Sequence, residues 1–320
     1  MRIVVTGALG HIGSRLIREL PLSMPTVDVH LLDNLSTQRY GSLFNLPEAG
    51  RYRFTEGDIL TENLAAVVEG ADAVIHLAAL TDVAEHYTTA AAIDRVNCGG
   101  TDRIARACIR EGCPLIFVST TSVYGAQNGP VDEDSPIGDV RSQGPYTVSK
   151  WTSEQLLHTL GEENGLRFVI CRFATIFGVS PGMRFHTAVN KFCWQAVTGR
   201  PLTVWRTALH QERPYLDLGD AIAALTFILR QRLFDRRVYN MVSLNATVNT
   251  VVKTISAHVP NVEVQHTESA IMNDVSYRVA NRRFASLGFE FTGTLDDGIS
   301  DTMRLFRALV GSPDRRPLQV

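Results

Sequence analysis

The sequence holds little that would staple it, anchor it or draw it to a charged surface. Five cysteines in 320 residues, at positions 98, 108, 113, 171 and 193, form no C-x-x-C pair, which excludes a disulfide framework and a thiolate zinc site. No stretch supplies the roughly 18 consecutive apolar residues of a membrane span. Met1 and Arg2 lead at once into the short run Ile3-Val4-Val5, too short for the apolar centre of a secretion signal. Neither sign of charge prevails, with 31 Lys plus Arg against 33 Asp plus Glu and a net charge of -2. No long-range attraction to nucleic acid or anionic lipid is therefore encoded. Internal repeats and low-complexity tracts are missing too. These absences predict a globular protein of the reducing cytoplasm, with no nucleic-acid partner and no membrane partner.

The length, 45% hydrophobic content and 20% charge suit two lobes rather than one small core. In the first half, short β-branched or apolar runs alternate with amphipathic stretches. Strands are expected at 2–6, 27–32, 52–56, 73–77, 114–119 and 167–172, and helices at about 11–21, 61–69, 90–111 and 145–164. That alternation predicts an α/β protein with a doubly wound parallel sheet. From about 173, Gly178, Pro181, Gly182, Gly199 and Pro201 punctuate the chain, and only short strands such as 202–205 and 238–242 can be placed. The segment 214–243 reads as one more helix and strand returning to the first sheet. The expected division is 1–172 plus 214–243 for the first domain, and 173–213 plus 244–320 for a smaller, discontinuous C-terminal lobe.

Strand 2–6 runs into Thr6-Gly7-Ala8-Leu9-Gly10-His11-Ile12-Gly13 at the start of a helix. Glycines there permit a tight turn and close approach of a pyrophosphate, and a helix N-terminus offers free N–H groups and partial positive charge. Alone, such a turn also serves steric ends. Asp33, twenty residues after Gly13 at the end of the next strand, adds a carboxylate suited to ribose hydroxyls and repellent to a 2′-phosphate, so NAD is the expected cofactor. Asn34 follows it directly. Asp58-Ile59 and His76-Leu77-Ala78-Ala79 end the next two strands and trace the same Rossmann crevice, although each is compatible with plain loop packing.

Tyr146 and Lys150 lie one turn apart on one helix face. An ammonium group beside a phenol lowers the phenol pKa and makes it a usable general acid or base, while the same pair also suits a solvated helix face. Upstream, Ser119-Thr120-Thr121-Ser122-Val123-Tyr124-Gly125 places hydroxyls at a strand's carboxyl end, where open α/β sheets bind ligands.

Together these residues make the chain resemble an extended short-chain dehydrogenase/reductase of the NAD-dependent sugar epimerase/dehydratase family. The likeness continues through Asn97 with Gly100-Thr101, Arg172-Phe173, Gly199-Arg200-Pro201-Leu202, Arg213-Pro214-Tyr215, Asp220, and Leu287-Gly288-Phe289 before Gly298-Ile299. It implies that Thr120 holds the reacting sugar oxygen, that Tyr146 is the acid/base, and that Lys150 binds the nicotinamide ribose and tunes Tyr146. It implies that Asn97 supports the cofactor crevice, although a satisfied loop asparagine is an equal reading, and that Phe173 borders the cofactor. It makes the second lobe the nucleotide-sugar-binding one. Arg213 corresponds to an arginine that grips the substrate diphosphate, with Tyr215 beside it and Thr175 where relatives carry asparagine. Trp205 stands where an aromatic residue flanks the base, or else is a core tryptophan of an edge strand. The helices 90–111 and 145–164 correspond to those of a family homodimer.

The chain also departs from that family. Thr121-Ser122 replaces the Asp-Glu pair of 4,6-dehydratases, whose elimination needs a further acid and base. No Arg-x-Gly-Asp loop occurs in 271–278, where Arg278 is either a substitute or a surface residue. His86 and His186 read as solvated loop residues. The resulting expectation is an epimerase that oxidises and re-reduces C4 of a UDP-, GDP- or dTDP-hexose with bound NAD. A keto-sugar-nucleotide reductase, dehydrogenase or dehydratase of the same family is the nearest alternative. A relative acting on a small non-nucleotide alcohol, and a non-catalytic dinucleotide sensor, lie further off.

Overall fold

The computed structural model describes residues 1–81, 89–127, 129–267 and 276–306. β1 (Arg2–Thr6) buries Ile3, Val4 and Val5 completely and turns into α1 (His11–Ser23). Leu16, Ile17 and Leu20 of α1 share one face and are fully buried, each contributing roughly 2 kcal/mol. Pro21 in the last turn has no N–H for the carbonyl of Ile17. The phenol of Tyr52 donates to that oxygen at 3.1 Å, so the acceptor is not left bare.

The chain continues through β2 (Asp28–Asp33), β3 (Arg51–Glu56), α2 (Leu64–Val68), β4 (Ala73–His76), α3 (Ala90–Asp94), α4 (Gly100–Glu111) and β5 (Leu115–Thr120). After the short β6 (Pro130–Val131) come α5 (Pro145–Asn164), β7 (Phe168–Phe173), β8 (Thr175–Phe177), α6 (Ala188–Val197), β9 (Leu202–Trp205) and β10 (Glu212–Asp217). The last described elements are α7 (Leu218–Gln231), β11 (Val238–Met241), β12 (Leu244–Thr247), α8 (Val248–His258), β13 (Val264–Thr267), β14 (Arg278–Val279), α9 (Arg282–Ala285) and α10 (Leu295–Leu305).

Seven strands form one parallel sheet in the order β11-β7-β5-β4-β1-β2-β3, the doubly wound arrangement that the sequence predicts. Strand order reverses between β1 and β4, and the carboxyl ends of the strands open a crevice there. One face of the sheet is covered by α1 and α7, the other by α2, α4 and α5, with an apolar core on each side. A third core, including Phe177, Phe192, Leu202, Tyr215 and Ile255, belongs to the smaller lobe. No helix among the described residues is long and apolar enough to cross a membrane.

Two features differ from the sequence reading. The helix expected over 90–111 is interrupted by one π turn, Arg95–Gly99, between α3 and α4. Gly100 follows at a close approach to Ile59, where a Cβ would collide with that side chain, and the wider turn redirects Asn97. Second, β10 runs through the division expected at 213/214. It pairs with β8 and β12 in a three-stranded sheet, and the return to the large sheet starts with α7.

Candidate active site

At the switch point Gly7 has φ +65°, and a Cβ on it would stand 2.7 Å from the Ala78 nitrogen and 2.8 Å from the Leu77 carbonyl carbon. A Cβ on Gly13 would stand 2.5 Å from the Gly7 oxygen. The glycines are therefore required by contact as well as by turning. Asp33 accepts N–H bonds from Leu9 and Leu35, each at 3.0 Å, which ties the end of β2 to the glycine turn. Asn34 donates to Asp58 at 3.0 Å and joins the next strand end to the same wall. Gly7, Gly13, Asp33, Asn34 and Asp58 line one cleft with Gly10, His11, Ile12, Ile59, Leu77, Ala78 and Ala79.

Thr120, Tyr146, Lys150, Phe173 and Thr175 line the other end of that cleft. Gly144, with φ +95°, and Pro145 at the first helical position start α5, so Tyr146 emerges at the cleft. Lys150 is buried, donates to the Val118 carbonyl at 2.8 Å and lies 4.8 Å from the Phe117 ring centroid. Burial lowers its pKa to about 8 against the opposing charges of Cys98 and Glu154. Desolvation pushes the Tyr146 phenol up to about 12, and the charge working against that rise is Arg184. The Lys150 ammonium is 6.0 Å from the Tyr146 ring centroid and donates to the β5 carbonyl.

Asn97 stands behind the cleft wall. Its amide accepts from Leu80 N–H at 2.8 Å and donates to Leu80 O at 3.0 Å and to the Ser149 hydroxyl at 2.9 Å. It thus supports the β4 exit and α5 together without lining the cleft. Trp205, Arg213, Tyr215 and Arg278 are not among the lining residues either. Tyr215 points into the small-lobe core, edge-on to Phe177, because its place on β10 faces inward. Trp205 is 49% exposed. Arg278 pairs with Glu212 at 3.8 Å, and Arg213 donates to Gln211 at 3.0 Å. The Arg213 charge bears on the buried phenol of Tyr277, whose hydroxyl lies 3.4 Å from the Thr121 hydroxyl.

Several lining residues, Arg39, Arg184 and Thr187 among them, escaped the sequence reading. Arg39 stands by Asp33, and Arg184, His186 and Thr187 line the same cleft. His186, expected to be a solvated loop residue, is exposed but borders the cleft. Arg184 contacts the Thr81 hydroxyl, and His11 bonds the Gly178 carbonyl at 2.9 Å. The 178–187 loop is thereby laid against the glycine turn. His86 and 271–275 lie outside the described residues.

A parallel sheet whose switch-point crevice joins a glycine turn, an acidic strand end and a Thr/Tyr/Lys group defines a dinucleotide-dependent enzyme. Residues 3–241 match the NAD dependent epimerase/dehydratase family, and the chain belongs to that family. It is 32% identical over 240 residues to an uncharacterized UDP-glucose epimerase, YtcB, of Bacillus subtilis (strain 168), covering 72% of each chain. A dTDP-glucose 4,6-dehydratase of Streptomyces griseus is 30% identical over 94% of this chain and 92% of its own length. Among solved structures, UDP-glucuronic acid 4-epimerase from Bacillus cereus, in complex with UDP-glucuronic acid and NAD, superposes with a TM-score of 0.85. The identity there is 25%, over 97% of this chain and 100% of the other.

The protein is thus an NAD-dependent enzyme, and its own residues fit that cofactor. The glycines leave room where a Cβ would intrude, the α1 N-terminus faces the cleft, and Asp33 closes the adenosine end. Gly7→Ala is expected to weaken NAD binding by about tenfold or more, since its Cβ meets the Leu77–Ala78 backbone just past β4 and is strained at positive φ. Titration calorimetry checks this, and unchanged affinity would show that the switch point can open without loss.

Proposed function

We propose that the protein is a nucleotide-sugar epimerase that inverts C4 of an NDP-hexose through a 4-keto sugar, with UDP-sugars the first class to test. The observation that carries this reading is the composition of the reacting end. Among the described lining residues the carboxylates are Asp33 and Asp58, both at the adenosine end, while Thr120, Thr121, Ser122 and Tyr146 surround the other. Hydroxyl oxidation and reduction at one carbon needs a phenol and a positioned hydroxyl. Elimination of water needs a further acid and base. The names of the relatives support UDP-type substrates, and the dehydratase likeness is outweighed by the missing carboxylates.

NAD, when bound along the cleft, supplies the acceptor and donor of hydride. Tyr146 takes the proton of the sugar hydroxyl at its phenolic oxygen and later returns it. Thr120 holds the same sugar oxygen from the end of β5, which limits the orientations from which reaction occurs. Lys150 anchors the nicotinamide ribose from beneath, and Arg184 adds positive charge beside the phenol. Thr175 and Arg213 face the substrate diphosphate, the guanidinium suiting its paired oxygens. Trp205 is assigned to the base end of the nucleotide. Two copies pair through α4 and α5 in this reading, and the enzyme works in the cytoplasm.

Denaturing the purified protein and assaying the supernatant for nicotinamide is expected to yield NAD near one per chain. Incubation with UDP-glucose or UDP-glucuronic acid, followed by NMR, is expected to show the C4 epimer without net NADH. Exchangeable cofactor with stoichiometric NADH would instead identify a dehydrogenase, and a 6-deoxy-4-keto product would identify a dehydratase.

A further inference from the structure

Beyond the groups that face the cleft, α5 turns a third residue of the same stripe toward the sheet. Tyr146, Lys150 and Glu154 follow at intervals of four, but Glu154 is wholly enclosed, at 0% exposure. Its carboxylate accepts from Arg172 of β7, from Nη2 at 2.7 Å and from Nε at 3.1 and 3.2 Å. It also accepts the hydroxyl of Ser119 on β5. Arg172 donates onward from Nη1 to the Tyr124 hydroxyl at 2.9 Å, and that hydroxyl donates to Asn240 of β11 at 2.9 Å. Burial opposes the guanidinium charge, while Glu154 and Tyr124 outweigh it and hold Arg172 above its ordinary pKa.

An enclosed ion pair is a weak source of stability, since desolvating both charges costs as much as their attraction returns. Its placement supplies another reason. Ser119 stands between Val118, whose carbonyl accepts from Lys150 at 2.8 Å, and Thr120, which lines the cleft. Glu154 therefore joins the one stretch of β5 that carries both catalytic contacts to the helix that carries Tyr146 and Lys150.

We infer that Glu154 is a positioning residue: held by Arg172, it pins Val118–Thr120 to α5 and sets Thr120 opposite Tyr146. The inference rests on the roles given to Thr120, Tyr146 and Lys150 above. The titratable groups facing Lys150 are Tyr146 and Glu154 from α5, Cys98 from the π turn and His76 from β4. Burial and the Glu154 charge act on Lys150 in opposite directions. Without that charge, Lys150 gives up its proton at lower pH.

The test compares the full-length protein with Glu154→Gln and Ser119→Ala. NADH affinity is read by fluorescence from pH 6 to 9, and turnover with UDP-glucose is read separately. In Glu154→Gln the pH at which NADH affinity falls is expected to move down by about half a unit or more. Its kcat is expected to fall about tenfold or more with a smaller change in KM. Ser119→Ala keeps the charge, so its NADH profile should overlay that of the unaltered protein while kcat falls in the same direction. An NADH profile of Glu154→Gln superimposable on the original overturns the inference, and so does an unchanged kcat in Ser119→Ala. If Glu154→Gln does not fold, Ser119→Ala carries the decision. Absence of turnover by the unaltered protein would count against the choice of sugar substrate instead, and the NADH profiles would still decide the role of Glu154.

Discussion

Turnover by a Tyr146→Phe variant is expected to fall by about three orders of magnitude, with NAD affinity and melting temperature near those of the unaltered enzyme. The substitution removes one oxygen and keeps the ring that packs at the start of α5. Thr120 and Lys150 remain in the cleft, so the loss isolates proton transfer from binding. The pH profile has a definite sign. With the phenol near 12 and Arg184 opposing that rise, ionised Tyr146 becomes more abundant as pH increases. Oxidation should therefore speed up from pH 6 until Lys150, near 8, begins to lose its proton. Single-turnover kinetics with loaded enzyme provides the measurement. A variant retaining more than about a tenth of the rate would show that some other group moves the proton.

Acid should unfold the protein well above the pH at which surface carboxylates are protonated. His76 is enclosed between the hydroxyls of Thr6 at 2.7 Å and Thr101 at 3.2 Å. Burial, helped by the Lys150 charge, lowers its pKa to about 3. Burial likewise lowers His11 to about 4 against its bond to the Gly178 carbonyl, with Arg184, Arg39 and His186 adding to the fall. In the unfolded chain both imidazoles titrate near 6.5. Between those limits the unfolded state binds more protons, so stability is complete above about pH 6.5 and drains away toward pH 4 and 3. At about 1.4 kcal/mol per unit, the two histidines together cost several kcal/mol by pH 4, a large part of a typical domain's stability. Thermal melts at pH 7, 5.5 and 4.5 should fall steeply, and His76→Asn should flatten part of that slope. Equal melting temperatures across the series would mean that both rings accept protons inside the fold.

What could be read from the sequence was whatever lies close together along it. The glycine turn, Asp33 one strand later and Tyr146 with Lys150 are each local patterns, and the fold places them in one cleft. The π turn could not be read, because the widened turn leaves the apolar spacing of 90–111 nearly helical. Arg184 escaped because it reaches the cleft by a loop laid on residues more than a hundred positions away, as its contact with Thr81 shows. Tyr215 was misassigned for a related reason. Its neighbours match the family pattern, but its ring is buried in the small-lobe core, edge-on to Phe177.

The seventh strand of the large sheet has a bearing on how the chain matures as it is made. β11 pairs with β7 in parallel, and α7 lies on α1, yet both are synthesised only after the small sheet's β10. A nascent chain that has reached Phe173 leaves β7 as an unpaired edge and one side of α1 bare, a state prone to wrong pairing. Gly182, which packs on the Leu9 and Gly10 carbonyls, must also arrive before the nucleotide-binding turn is covered. The first half is therefore expected to complete its folding only with the second, and a protein shortened at Phe173 is expected to lose the half that was kept.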